Sequence, residues 1–174
     1  LAVDLGTGSG VLALTLKRLR PALEVHAIDL AGLAVDLAAE NARRLGLAVT
    51  IHQGHWTPVM ATLCSLHGPA SVLISNPPYI STAELPALDA SVRDHEPGLA
   101  LDGGIDGVEA YRSLADLTES CLAPGGLLAV EIGHTQARTV STVLAERPHL
   151  TGIEVLQDLG GRDRAVIARR RSHR

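Results

Sequence analysis

The run "LAVDLGTGSG" (residues 1–10) decides the fold. "LAVDL" is a short apolar run of strand character, and it breaks into a turn carrying Gly6, Gly8 and Gly10. Glycines there let backbone approach a ligand and turn tightly into a helix. Leu12, Leu16 and Leu19 then recur at helical spacing from Gly10 to Arg20, and Pro21 ends the run.

The same alternation continues outward. "EVHAID" (24–29) reads as a strand, and Ala31 to Leu45 as a helix with Leu33/Ala34, Leu37/Ala38 and Leu45 inward and Gly46 as its stop. "AVTIHQ" (48–53) is a third strand, 57–67 a short helix and "SVLIS" (71–75) a fourth strand. Residues 80–107 predict a long loop with a helical turn near 82–89, and such loops in compact domains are commonly functional. A helix over 107–122 turns inward Val108, Tyr111, Leu114/Ala115 and Leu122. Strand 127–132, helix 135–146 and a hairpin of "TGIEVLQDL" and "RAVIARR" joined by "GGRD" complete the chain. The fold class is α/β: a mostly parallel seven-stranded sheet, helices on both faces, and one antiparallel strand in the closing hairpin.

Composition narrows the function. The chain has 174 residues, 46% hydrophobic and 20% charged, enough for one domain with one core. One Trp, two Tyr and no Phe leave that core to Leu, Val, Ile and Ala. No apolar run is long enough to span a bilayer, so no membrane partner is expected. Residues 162–174 carry six Arg against Asp163, a net +5, which leaves −9 on residues 1–161. An acidic body argues against gripping a phosphate backbone, and "RRRSHR" reads as a solvated terminus, so direct nucleic-acid binding is not expected. Cys64 and Cys121 lack metal spacing and read as reduced, buried thiols of a cytoplasmic protein. The histidines show no metal-ligand spacing and, His55 aside, read as surface or loop residues; no metal is expected. The chain opens at Leu1 inside a strand, so an upstream region is expected, and targeting signals are not judged.

Ligands of such sheets bind at the carboxyl ends of the strands, near the switch point. The first strand end is Asp4 followed by Gly6, Thr7, Gly8, Ser9 and Gly10, and it poses a choice between a dinucleotide and S-adenosyl-L-methionine. The dinucleotide fingerprint wants Gly or Ala three residues after its second glycine, and counting from Gly8 that place holds Val11. A carboxylate at Asp4 repels pyrophosphate and suits the ammonium and sulfonium of the methyl donor. Asp29, ending the second strand, is placed to accept ribose hydroxyls, or to cap the helix that follows. Trp56 is placed to line an adenine pocket or to seal the core edge, with His55 at the adenine rim.

The fourth strand ends in Asn76-Pro77-Pro78-Tyr79. Each proline fixes its own φ and pushes the preceding residue toward extended geometry, so the segment is stiff. The Asn76 amide oxygen and the Pro77 carbonyl make two acceptors on a rigid frame, beside the Tyr79 ring. That arrangement suits a planar –NH₂ group, a poor nucleophile that gains from orientation and from stabilised charge on nitrogen.

Together these residues resemble class I, Rossmann-like S-adenosylmethionine-dependent methyltransferases of the amino type. "DLGTGSG" with "NPPYI" is similar to the protein-(glutamine-N5) methyltransferases, and nearest to the release factor glutamine methyltransferases (the HemK/PrmC family). "HEPGLALDGGIDGVEAYR" (95–112), "LAPGGLLAVEIG" (122–133) and "DLGGRDRAVIARR" (158–170) agree, so the resemblance covers essentially the whole chain. It implies donor binding by Gly6 to Gly10 and Asp29, Trp56 beside adenine, and Asn76 to Tyr79 holding a glutamine side chain. It implies as substrate the Gly-Gly-Gln loop of a peptide chain release factor, S-adenosyl-L-homocysteine as product, and an N-terminal helical substrate-binding domain upstream of a catalytic domain at 1–174. A monomer is expected. Where the family usually has Asp to contact the adenine amino group, this chain has His55. Alternative readings are a ribosomal-protein glutamine methyltransferase, a DNA or RNA amino methyltransferase, a donor-binding module without catalysis, and a nicotinamide-dependent enzyme.

Overall fold

The computed structural model describes residues 1–89 and 98–172. Its seven strands are β1 (Ala2–Leu5), β2 (Val25–Asp29), β3 (Thr50–Gln53), β4 (Ala70–Ser75), β5 (Leu122–Glu131), β6 (Leu150–Gln157) and β7 (Asp163–Arg170). They form one sheet in the order β3-β2-β1-β4-β5-β7-β6. β3, β2, β1, β4 and β5 are mutually parallel, and β7 runs antiparallel to both β5 and β6. The closing hairpin thus enters the sheet by its second strand.

The helices are α1 (Val11–Leu19), α2 (Gly32–Leu45), α3 (Trp56–His67), α4 (Gly98–Leu101), α5 (Glu109–Cys121) and α6 (Ala137–Ala145). The larger core joins α3, α5 and α6 to the sheet through Leu5, Ile28, Met60, Leu73, Leu114 and Val140. Val108, Tyr111, Leu114, Ala115 and Leu122 are all buried, as their spacing predicts. Among the described residues no helix is long and apolar enough to cross a membrane.

Five expectations need correction. On α1 the buried positions are Ala13 and Leu14, while Leu12 and Leu16 are half-buried and Leu19 is exposed. On α2 they are Ala38 and Ala42, with Leu33, Leu37 and Leu45 exposed. These two helices approach closely: a Cβ on Gly10 would lie 3.2 Å from that of Ala38. Small residues occupy such seats, and the leucines are displaced to the flanks.

His26 is neither surface nor loop. It lies on β2, 4% exposed, in contact with His52 of β3 and His67 of α3. Its buried ring is satisfied by polar partners on both nitrogens.

The arginine-rich end is not a free tail through Arg171. Arg169 and Arg170 belong to β7, Arg170 donates to the Leu122 carbonyl, and Arg171 Nε donates to the Pro148 carbonyl at 2.8 Å. Guanidinium groups here tie the end of the chain to the backbone at Leu122 and Pro148. Finally, Cys121 is buried but Cys64 is only half-buried; both are free thiols, and burial pushes the Cys64 thiol up to about 12.

The 82–89 region holds a 3-10 turn at Leu85–Ala87, and residues 90–97 lie outside the described residues.

Candidate active site

Because β3, β2, β1 and β4 are neighbours in that order, the turns that follow them emerge along one rim of the sheet. The glycine turn, Asp29, His55–Trp56 and Asn76–Tyr79 therefore share that rim. The turns after β1 and β4 flank the switch point itself.

Asp4 sits beneath the glycine turn and is 1% exposed. Its Oδ2 accepts from the Thr7 hydroxyl at 2.6 Å and from the Ala13 N–H at 3.1 Å. Its Oδ1 is buried and has no hydrogen-bond partner among the described residues. Burial, reinforced by the charge of Asp29, pushes its pKa up to about 6 against the opposing pull of those two hydrogen bonds. A buried carboxylate with one bare oxygen is built to receive a donor, best a cationic one.

Gly6, Gly8 and Gly10 all have positive φ, at 74°, 55° and 86°. One glycine would make a turn; three allow a coil whose amides fold inward. Gly6 and Thr7 N–H donate to the Ile28 carbonyl, Gly10 N–H to the Thr7 carbonyl, and Gly8 N–H to Asp29 Oδ2. With Ala13 N–H taken by Asp4, the start of α1 already holds an anion of its own chain. This arrangement disfavours pyrophosphate, in agreement with the reading of Asp4. Ser9 is exposed at the tip, its carbonyl held by Asn41 Nδ2 at 2.9 Å.

Asp29 is not the N-cap of α2, which is Ala31, but its carboxylate ties the entry to that helix to the glycine turn. Oδ1 accepts from Ala31 N–H at 2.9 Å, opening α2, and Oδ2 accepts from Gly8 N–H at 2.8 Å. Each oxygen keeps a second lone pair for a hydroxyl.

His55 is the N-cap of α3, with Nδ1 accepting from Thr57 N–H at 3.3 Å. A neutral ring that accepts at Nδ1 carries its proton on Nε2 and presents a donor to the rim, not an acceptor. Trp56 opens α3, packs on the main core and donates from Nε1 to Ser113 Oγ at 3.0 Å. Its Cζ3 lies 3.7 Å from where a Gly6 Cβ would stand, so it is at once core seal and wall of the glycine turn. With His55, Gly103 and Glu109 it also lines a cleft of about 330 Å³.

Asn76 is exposed, Pro77 buried, and Pro78 and Tyr79 half-buried. Among the described residues the Asn76 side chain has no hydrogen-bond partner. What precedes and follows it is firmly held. Ser75 Oγ donates to the Leu5 carbonyl at 2.6 Å, tying the last residue of β4 to the last residue of β1. Ile80 N–H donates to the Leu101 carbonyl and Gly103 N–H to the Ile80 carbonyl. A Cβ at Gly103 would lie 2.9 Å from the Pro78 oxygen, and one at Gly107 would lie 2.7 Å from the Tyr79 oxygen. Only glycine lets these segments close on the back of the motif.

Gln136 completes this brace: Nε2 donates to the carbonyls of Tyr79 and Gly107 at 2.9 and 3.1 Å, and Oε1 accepts from Gly133 N–H at 3.1 Å. Sequence reading missed Ser75, Ser113 and Gln136. A single polar residue in a loop carries no periodicity, and its partners are backbone groups far away in the chain.

Comparison with known proteins agrees with this geometry. The Methyltransferase small domain family model matches residues 1–103. The chain is 47% identical, over 97% of its length, to the release factor glutamine methyltransferase of Moorella thermoacetica, and 44% identical, over 98%, to that of Rhodospirillum rubrum. It spans 58% and 51% of those two proteins, about half their length. A methyltransferase structure from Pyrococcus furiosus superposes with a TM-score of 0.72 at 17% identity, covering 98% of this chain and 75% of that one, which shows the fold. With the glycine turn, the switch point and the Asn76–Tyr79 loop inside or beside the matched span, the chain belongs to the methyltransferase small domain family.

Proposed function

We propose that the chain transfers a methyl group from S-adenosyl-L-methionine to the side-chain amide nitrogen of the glutamine in the Gly-Gly-Gln loop of a peptide chain release factor. The observation that carries the reaction is the pairing, across the switch point, of a bare buried Asp4 oxygen with an exposed Asn76 on a braced loop. The choice of substrate rests on the relatives named release factor glutamine methyltransferase.

The residues fit the donor. Asp4 Oδ1 would take its ammonium, Asp29 its ribose hydroxyls, Trp56 one side of its adenine, and the His55 Nε2–H a ring nitrogen of that base. Gly6, Thr7, Gly8, Ser9 and Gly10 let the backbone approach. When bound, the donor supplies an electrophilic methyl on a sulfonium.

The rest falls to the chain. Asn76 Oδ1 and the Pro77 carbonyl each accept one N–H of the glutamine amide. That fixes the amide plane and favours positive charge on the attacking nitrogen. Pro78 keeps the loop stiff, and the Tyr79 ring packs along the amide. Well-oriented approach contributes several kcal/mol to such displacements. No base is needed before transfer, because the proton can leave the methylated nitrogen afterwards. The product is S-adenosyl-L-homocysteine and an N5-methylglutamine.

Incubation of the protein with donor and release factor, followed by peptide mass spectrometry, tests this reading. One added methyl on the glutamine of the Gly-Gly-Gln peptide is expected. Methylation of nucleic acid or of a ribosomal protein in its place would overturn the assignment.

A further inference from the structure

The opposite end of the sheet carries a second chemical cluster. Glu24 immediately precedes β2, His26 is its second residue, and His67 is the last residue of α3. From Glu24 to Asp29 the chain advances five residues, about 16 Å along an extended strand, so this cluster lies far from the rim. Glu24 Oε1 stands 3.3 Å from His26 Nε2 and 3.1 Å from His67 Nδ1, and the three ligand atoms lie within 4.8 Å of one another.

The geometry points to a divalent transition-metal site of the zinc type, with Glu24, His26 and His67 as protein ligands. Three features support it. Bonds of about 2.0–2.1 Å in a tetrahedron place neighbouring ligand atoms about 3.3 Å apart, the spacing of both pairs that include Glu24 Oε1. Two imidazoles and one carboxylate form a familiar three-ligand set for such ions, with a fourth position left for water.

Second, His26 has an orienting partner. Its Nδ1 lies 2.9 Å from His52 Nε2, with the two ring planes within 12°. A proton donated from Nδ1 to His52 leaves Nε2 as a lone pair aimed at the Glu24 oxygen. A metal ion selects this tautomer over the one in which Nε2–H donates to Glu24 Oε1. A metal-bound imidazole whose other nitrogen is hydrogen-bonded is the usual pattern.

Third, the place is both accessible and cation-friendly. His26 is buried and fixes the site, while the side chains of His67 and Glu24 are 32% and 53% exposed and leave an entry path. His67 also closes the last turn of α3, where the helix dipole favours positive charge. An ion here would pin the end of α3 to β2 and so steady the helix whose other end carries Trp56.

Titration of the tag-free protein with Zn²⁺, and with Co²⁺ as a spectroscopic probe, tests the site. One ion per chain and the visible absorption of tetrahedral Co²⁺ are expected. Glu24→Ala and His67→Ala, both at partly exposed positions, should weaken binding by about tenfold or more, and His52→Asn, which removes the orienting partner, by about tenfold. Zn²⁺ should raise the melting temperature of the wild type but not of Glu24→Ala. Absence of binding, octahedral Co²⁺ spectra, or wild-type affinity in Glu24→Ala and His67→Ala would overturn the proposal and leave a hydrogen-bonded histidine cluster.

Discussion

Gln136 Nε2 donates to the Tyr79 carbonyl at 2.9 Å, although 57 residues separate them. The same side chain reaches Gly107 and Gly133, so one amide holds three loops behind the candidate motif. Gln136→Ala should lower turnover by up to about a hundredfold, the cost of roughly 1 Å of misplacement, while donor affinity stays near wild type. Turnover by methyl transfer and affinity for S-adenosyl-L-homocysteine by calorimetry separate the two. A parallel loss of both would make Gln136 merely structural.

Asn76 is exposed and touches none of the groups that surround Asp4 through hydrogen bonds among the described residues. Asn76→Ala should therefore abolish methyl transfer with little change in donor affinity or melting temperature. Comparable loss of donor affinity in calorimetry would recast Asn76 as a donor ligand.

Asp4 yields a pH prediction. Its folded pKa of about 6 lies above the ordinary 3.8 because burial disfavours the charge. The folded state thus holds this proton more tightly than the unfolded state. Its favourable contribution is complete below about pH 4 and lost as pH rises through about 6, on the order of 3 kcal/mol in total. Asp4→Asn should flatten stability across that window, raise the melting temperature at neutral pH, and weaken donor binding about tenfold or more by removing a charge-assisted contact. Thermal unfolding between pH 4 and 7.5, with calorimetry, checks each part.

The glycine turn offers a graded test of stability. Gly8 and Gly10 both have positive φ, yet a Cβ at Gly8 meets nothing within 4 Å, while one at Gly10 meets Leu14 at 3.1 Å and Ala38 at 3.2 Å. Gly8→Ala should cost about 1–2 kcal/mol of backbone strain alone. Gly10→Ala should cost that and a further ~1–3 kcal/mol of overpacking. Chemical denaturation of both variants decides; equal losses would place the strain wholly in the backbone.

How much of this was legible in the sequence follows from the range of each signal. Strand-and-helix alternation, the positions of all seven strands and the rim residues Asp4, Asp29, Trp56 and Asn76 came from short windows and strand ends. The leucine stripe of α2 misled because Ala38 and Ala42 seat the helix by smallness, which hydrophobic spacing does not register. His26 misled because neither its burial nor its partners His52 and His67 can be inferred from local spacing. The role of His55 turned on a backbone cap two residues away, in which Nδ1 is the acceptor.

One topological detail bears on how the chain assembles. β6 precedes β7 in sequence, yet β7 lies between β5 and β6, and β6 is the last strand of the sheet. β6 therefore has no place to dock until β7 has paired with β5. The tight turn at Asp158, whose Oδ1 accepts from the Gly160 and Arg162 amides, joins the two strands. The strands that carry the rim, β1 to β4, pair only with one another and with β5, so the rim has no strand contact with the closing hairpin.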